Sequence, residues 1–148
     1  MSLTRDQILA MESGCELDAL IGKLVINAAP EIKWWAVNEE ENVIFADCNY
    51  KSEAEEWLDE LAAMHEDHGI KIVRKELFRN YSGSMPAAWE VEENLLLKHP
   101  GVQTRYVWRL RLVTGWEDKQ PAFREDFKLI HATPEERCKA ALLAVLNL

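Results

Sequence analysis

Three capping boxes mark where three helices begin, and they constrain the fold of this chain more than any other feature of its sequence. Each box pairs a Ser or Thr with a Glu or Gln three residues later, at Thr4–Gln7, Ser52–Glu55 and Thr133–Glu136. In such a box the hydroxyl accepts a hydrogen bond from the first turn, and the longer side chain caps the hydroxyl residue's own N–H. The sequence therefore predicts helices starting at these points, the last with Pro134 as its first helical residue.

Glycine and proline residues set the limits of the other predicted helices. Gly14 interrupts the first apolar pattern, which predicts two short helices with a bend beside it. Gly69 stands where the helix that begins at Ser52 is expected to end. Ser84 and Pro86 predict the start of a further helix that buries Trp89 and the small residues around it.

Five segments have the composition or the alternation of β-strands. Ile32–Val37 and Val43–Phe45 predict a hairpin with a polar turn, and Ile70–Phe78 predicts a third strand. Arg105–Thr114 alternates between two faces, and Phe123–His131 is expected to pair with it as a second hairpin. The predicted order of elements is therefore ααββαβαββα.

This order favours an α+β fold, a three-layer helix-sheet-helix sandwich with a mixed, largely antiparallel sheet. Trp34 and Trp35 are adjacent, so in a strand they point to opposite faces. Both faces therefore need a cover, which favours three layers or an interface in an oligomer. No repeat or flexible linker divides the chain, and we predict a single domain over residues 1–148.

The formal net charge of −9, from 26 acidic and 17 basic residues, disfavours binding to nucleic acid or to a membrane surface. Cys15, Cys48 and Cys138 have no C-x-x-C spacing, which predicts reduced thiols in a cytoplasm. No export signal opens the chain, and its longest apolar run, 140–146, is too short to cross a bilayer. No cofactor is implied by any motif.

His65 and His68 are the candidate metal ligands, because their spacing on a helix lets both imidazoles reach one ion, with Cys48 or His99 as a third ligand. The alternative is that both complement the C-terminal end of that helix. For nucleophilic catalysis the chain lacks a G-x-S-x-G motif, and Cys48 beside Asp47 is interpreted as structural. The sequence thus gives no positive sign of an enzyme.

Arg105, Arg109 and Arg111 form the candidate interaction surface, since they share one face of the predicted strand Arg105–Thr114. A basic sheet face can bind single-stranded nucleic acid when aromatic rings share it. Here Tyr106 and Trp108 fall on the opposite face, so a structural or partner-facing patch is the preferred interpretation.

Three stretches carry a resemblance to a known family: residues 3–20 (LTRDQILAMESGCELDAL), 81–92 (YSGSMPAAWEVE) and 133–146 (TPEERCKAALLAVL). Together they resemble the phage ABA sandwich domain family, small proteins of bacteriophages and prophages. The resemblance implies a helix-sheet-helix sandwich and a phage setting, and it implies no catalytic residues. The region 39–78 is longer than the family pattern, which predicts an acidic insertion there.

The leading functional hypothesis is a phage or prophage accessory protein in the cytoplasm of a bacterial host, acting by contact with a host or phage protein. A homo-oligomer is compatible with it. One alternative is an enzyme or small-ligand-binding protein with a cleft between sheet and helices, where Asp47, Cys48, Tyr81 and His131 would converge. Another is an acidic mimic of DNA, which requires its acidic side chains on one continuous face.

Overall fold

A computed structural model describes residues 2–38, 40, 42–64, 69–115 and 127–148, which form two compact units. The helical unit comprises the segments up to Ala29 and from Phe78 onward, and the sheet unit comprises Pro30–Leu77. The elements in chain order are α1 (Arg5–Ala10), α2 (Cys15–Leu20), a π-helix (Ile21–Ile26), β1 (Glu31–Asn38), β2 (Val43–Cys48), α3 (Lys51–Met64), β3 (Ile70–Leu77), α4 (Met85–Leu96), α5 (Pro100–Val113), α6 (127–130) and α7 (Pro134–Leu146).

Two of the three predicted capping boxes are confirmed. The Thr4 backbone N–H donates to Gln7 Oε1 at 2.8 Å, and the Thr133 backbone N–H donates to Glu136 Oε2 at 2.7 Å. The box at Ser52 is wrong, because α3 begins at Lys51, two residues before the first helical position that an N-cap at Ser52 predicts.

The first turn of α3 instead holds the preceding loop through a residue of the helix. The Glu53 carboxylate accepts a hydrogen bond from the Asn49 backbone N–H at 3.2 Å. A carboxylate in the first turn also complements the positive end of the helix dipole. Glu53 therefore takes the place that the sequence pattern gave to Glu55.

The predicted bend at Gly14 is confirmed. Gly14 is the N-cap of α2 and has φ 144°, a backbone conformation that favours glycine. Its N–H donates to Ser82 Oγ at 2.9 Å, and the Ser82 N–H donates to Asp18 Oδ1 at 2.7 Å. These bonds attach the bend between α1 and α2 to the loop before α4.

The core of the helical unit lies around α7. Seven consecutive residues of α7, Cys138 to Ala144, are buried. The side chains packed into this core from the other helices include Ile8, Leu17, Ile21, Val25, Val91 and Leu95. Because α1, α2, α4 and α5 all supply apolar residues to it, α7 is the central helix of this unit.

The sheet unit is a three-stranded antiparallel sheet in the order β2-β1-β3, which confirms the predicted first hairpin and third strand. Helix α3 packs on the sheet, where Trp57 contacts Phe45 with 6.1 Å between the ring centroids. Buried Ala36 and Ala54 allow close approach of sheet and helix. The pairing of β1 with β2 contains a bulge beside Ala36, at Phe45.

The exposed side of α3 is acidic along its length. Five acidic residues, all exposed, recur at spacings that place them on one side of the helix, opposite Ala54 and Trp57: Glu53, Glu55, Glu56, Asp59 and Glu60. Glu55 pairs with Lys51 at 3.3 Å. The acidic side chains of this helix therefore form one continuous face.

The predicted strand Arg105–Thr114 is wrong, since these residues lie in helix α5. Pro100 is the first residue of α5, and the His99 ring accepts a hydrogen bond from the Gly101 N–H at 3.0 Å at its N-terminal cap. Val102, Tyr106 and Leu110, spaced by four residues, pack into the core. Because apolar residues also stand at every second position, the helical period was hidden by an apparent alternation.

The second predicted hairpin is also wrong over the part of it that the structure describes, residues 127–131. Residues 127–130 form α6, and the His131 N–H donates to the Phe127 carbonyl at 3.1 Å. The earlier part of the predicted strand, Phe123 to Asp126, lies outside the described residues. The elements described after α4 are therefore the helices α5, α6 and α7, in place of the predicted ββα.

The class of the fold is mixed α+β, as predicted, with helices and one three-stranded antiparallel sheet in the described residues. The three-layer sandwich stays a prediction, and so does the single domain over 1–148. Among the described helices, none has the length and the hydrophobicity needed to span a membrane.

Candidate functional site

The site lies between α4 and α5, two consecutive helices of the helical unit. Ser84 is the N-cap of α4 and Pro86 lies in its first turn, as the sequence predicts. One side of α4 is buried through Ala87, Ala88, Val91 and Leu95, which recur at helical spacing. The positions next to this stripe carry Trp89 and Leu96, both exposed.

Large apolar side chains remain exposed on both helices and on the short loop between them. Trp89, Leu96, Leu97, Val107 and Trp108 each have between 45% and 86% of their surface exposed. Single exposed apolar residues are common on proteins, but a group of this size marks interaction sites. Tryptophan in particular is enriched at the energetic centres of protein interfaces.

A groove of about 520 Å³ opens between the two helices. Its lining residues are Trp89, Glu92, Glu93, Leu95, Leu96, Gln103, Tyr106 and Val107. The groove thus combines apolar walls with a small number of polar groups, the composition typical of binding sites.

Two residues of the groove lining, Glu92 and Tyr106, form a partly buried polar cluster with Arg137, and this cluster is called the floor below. Glu92 Oε1 accepts hydrogen bonds from the Tyr106 hydroxyl and from an Arg137 guanidinium nitrogen, so it joins α4, α5 and α7. The Arg137 side chain is 11% exposed and that of Glu92 27%. Charged groups in such positions need this pairing, because burial of an unpaired charge is costly.

Arg137 also holds the segment next to the floor. Its Nε donates to the Ala132 carbonyl at 2.9 Å, and a second guanidinium nitrogen donates to the Ile130 carbonyl at 3.2 Å. These bonds satisfy carbonyl groups at the end of α6. The floor is therefore fixed by four helices rather than by one.

Burial raises the pKa of the Tyr106 phenol well above its usual value, and the hydrogen bond to Glu92 adds to this effect. Tyr106 is consequently a neutral hydrogen-bond donor throughout the physiological pH range. Among the described residues that line the groove there is no Ser, Thr, Cys or His. The geometry suits binding, and it supplies no nucleophile with an adjacent base.

The three predicted interaction residues do not share a face. In helix α5, Arg105 and Arg109 are four residues apart on one side, whereas Arg111 lies on another side. Arg105 Nε donates a hydrogen bond of 2.9 Å to the Ala144 carbonyl near the end of α7. The Arg111 guanidinium lies over the Trp108 ring, with its central carbon 4.8 Å from the ring centroid. The common basic face was a consequence of the wrong strand assignment, and a role of these arginines in binding stays a prediction.

The predicted metal ligands His65 and His68 lie outside the described residues. Within the described ranges, no three His, Cys, Asp or Glu side chains are grouped closely enough to hold a metal ion. His99, named as a third ligand, caps α5.

The four residues proposed for a cleft occupy different surroundings. Asp47 and Cys48 belong to the sheet unit, where Asp47 lies 3.9 Å from the Lys33 ammonium. Tyr81 is buried in the core of the helical unit, and burial raises the pKa of its phenol. His131 is exposed and stacks on Phe127 with 4.1 Å between ring centroids.

The groove was not predicted from the sequence, because Trp89 was expected to be buried. One signal could have pointed to it: Leu95, Leu96 and Leu97 are consecutive, and consecutive helical residues are rotated by about 100°, so one buried face cannot hold all three. The Pro100 start of α5 was the other available signal.

The fold and the groove define a small α+β protein with exposed apolar side chains around a groove between α4 and α5. Its sequence matches no protein-family model, and neither a curated protein nor a solved structure matches it. The resemblance to the phage ABA sandwich family therefore stays a prediction.

Proposed function

We propose that this protein is a phage or prophage accessory protein that acts in the bacterial cytoplasm by binding a host or phage protein through the α4–α5 groove. The observation that carries the proposal is the group of large exposed apolar side chains around that groove, Trp89 and Leu96 foremost. The phage setting, with the three-layer sandwich it implies, comes from the sequence resemblance and is part of the proposal.

A helix of the partner is the occupant that fits a groove with two helical walls. Helices dock in apolar grooves by anchor residues spaced three, four or seven positions apart. Exposed Glu93 on the rim and the net charge of −9 favour a cationic residue beside these anchors. The same charge disfavours a second copy of this chain as the occupant.

The test is affinity capture from bacterial lysate with three immobilised proteins, the wild type, Leu96→Asp and Ile130→Asp. Ile130 is an exposed aliphatic residue of the same unit and is not part of the groove lining, so its variant is the matched control. We expect a partner that the wild type and Ile130→Asp retain and that Leu96→Asp loses. Equal capture by all three would overturn the proposed groove.

A DNA-mimic role is the second candidate, and the continuous acidic face of α3 favours it. It requires that the captured partner be a DNA-binding protein. Glu56→Lys together with Glu60→Lys should then abolish capture, while Leu96→Asp should leave it unchanged. A small ligand in the groove has less support, because the polar groups of the floor are already hydrogen-bonded to one another.

A further inference from the structure

The two edges of the sheet differ in how they are protected. Edge strands present unpaired backbone groups, and proteins guard them with charged side chains, above all lysine. Strand β3 carries Lys71, Arg74 and Lys75 within eight residues. Strand β2 carries a single charged residue, Asp47.

Strand β2 is apolar and exposed in addition to being weakly charged. Val43, Ile44 and Phe45 are consecutive, and each has at least 40% of its surface exposed. The bulge at Phe45 is the one protective feature of this edge that the described residues show. It limits the length of regular pairing on either side, so a strand docked here pairs over a few residues only.

A cavity of about 160 Å³ lies on the sheet face next to this edge. Its apolar lining residues are Trp35, Val37, Val43, Ile44 and Val73, and its polar lining residues are Asn38, Asn42 and Lys75. When a peptide adds a strand to a sheet, main-chain hydrogen bonds supply affinity, and pockets for alternate side chains supply specificity. The cavity opens on the same sheet face as Ile44, so apolar side chains of a strand added beside β2 would lie on the face that carries this cavity.

Charge indicates what kind of strand can dock. Residues 30–77 contain 13 acidic and five basic residues, so this stretch carries most of the net negative charge of the chain. Exposed Glu40 follows β1, and the acidic face of α3 belongs to the same unit. Acidic surroundings attract a basic segment and repel a second copy of the same unit.

We propose that β2 is a docking edge for an extended segment of a partner protein, whose side chains alternate between apolar and basic. The apolar side chains lie on the face of Ile44 and its neighbouring cavity, and the basic ones are directed to the acidic surroundings. This site is separate from the α4–α5 groove, and neither proposal depends on the other.

The experiment uses the full chain and three synthetic nine-residue peptides, each labelled with a fluorophore for anisotropy titration. The first peptide alternates Lys with Val and Ile, the second replaces every Lys by Glu, and the third is the first with a central proline. We expect binding of the first peptide alone, because proline removes a ladder hydrogen bond and Glu reverses the charge.

Ile44→Lys should weaken binding of the basic peptide at least tenfold. Tyr50→Lys is the matched control, since it adds the same charge at an exposed position of the same unit outside β2, and it should change binding less than twofold. Circular dichroism of both variants checks that they fold. If Ile44→Lys does not fold, the binding of the three peptides to the wild type is sufficient to test the proposal.

Three outcomes would overturn the proposal. The first is equal binding of the proline peptide, which would mean attraction by charge without strand pairing. The second is equal weakening by Ile44→Lys and Tyr50→Lys. The third is a concentration-dependent dimer of the wild type that Ile44→Lys abolishes, which would make a second copy the occupant.

Discussion

The Glu92 carboxylate in α4 accepts a hydrogen bond from the Tyr106 hydroxyl in α5, and the same oxygen pairs with Arg137 in α7. Glu92→Gln keeps the shape of the side chain but removes the charge that Arg137 requires. We expect the free energy of unfolding to fall by about 2 to 4 kcal/mol. The measurement is equilibrium denaturation in urea.

Glu93→Gln is the control for this prediction, because Glu93 is the neighbouring acidic residue and is exposed. Its variant should change the free energy of unfolding by less than about 0.5 kcal/mol. If both variants unfold at the same urea concentration as the wild type, the floor cluster does not stabilise the helical unit.

The helical assignment of α5 is tested by a pair of truncations. In a strand, Trp108 and Leu110 would share a face, whereas in the helix Leu110 is buried and Trp108 is exposed. Leu110→Ala should therefore lower the free energy of unfolding by about 2 to 4 kcal/mol, and Trp108→Ala by less than about 1 kcal/mol. Similar large losses in both variants would instead favour the strand.

Glu135 links stability to pH. Its pKa lies below the usual value because Lys139 donates a hydrogen bond to it at 2.6 Å, and the Ser13 N–H donates another at 3.0 Å. A carboxyl whose pKa is lower in the folded state stabilises the fold above its ordinary pKa. That contribution is lost as the pH falls through the folded-state pKa.

Glu135→Gln should accordingly be less stable than the wild type by about 1 to 3 kcal/mol at pH 7, since it leaves the charge of buried Lys139 without its partner. The difference should shrink in urea titrations as the pH falls below about 4.5, the ordinary pKa of this carboxyl. Glu12→Gln, at an exposed position, is the control and should show no such trend. A difference that stays constant from pH 7 to pH 3 would contradict the assigned role.

Local signals predicted much of the fold. The boxes at Thr4 and Thr133 depend only on residues three apart, and both are confirmed. At Ser52 the pattern misplaced the start of α3 by two residues, because the carboxylate that accepts the backward hydrogen bond belongs to Glu53. Residues 105–114 satisfied two periods at once, and packing against α7 selected the helix.

The α4–α5 groove could not be predicted from local sequence patterns, because it depends on contacts between residues far apart in the chain. Glu92 and Arg137 are 45 residues apart in sequence, and their pairing depends on how α4 and α7 pack. The exposure of Trp89 likewise depends on which side of α4 faces the core. A tryptophan at a helical position is compatible with either outcome, and its sequence environment does not distinguish them.

The central claim is that the α4–α5 groove is occupied by a partner protein in a bacterial cell. A photo-crosslinking phenylalanine analogue placed at Trp89 tests it directly, with Phe127 as the matched position, since that ring is also exposed but lies outside the groove lining. On irradiation of cells we predict a defined cross-linked product from position 89 and none from position 127. Equal cross-linking from both positions, or no product at position 89, would contradict the claim.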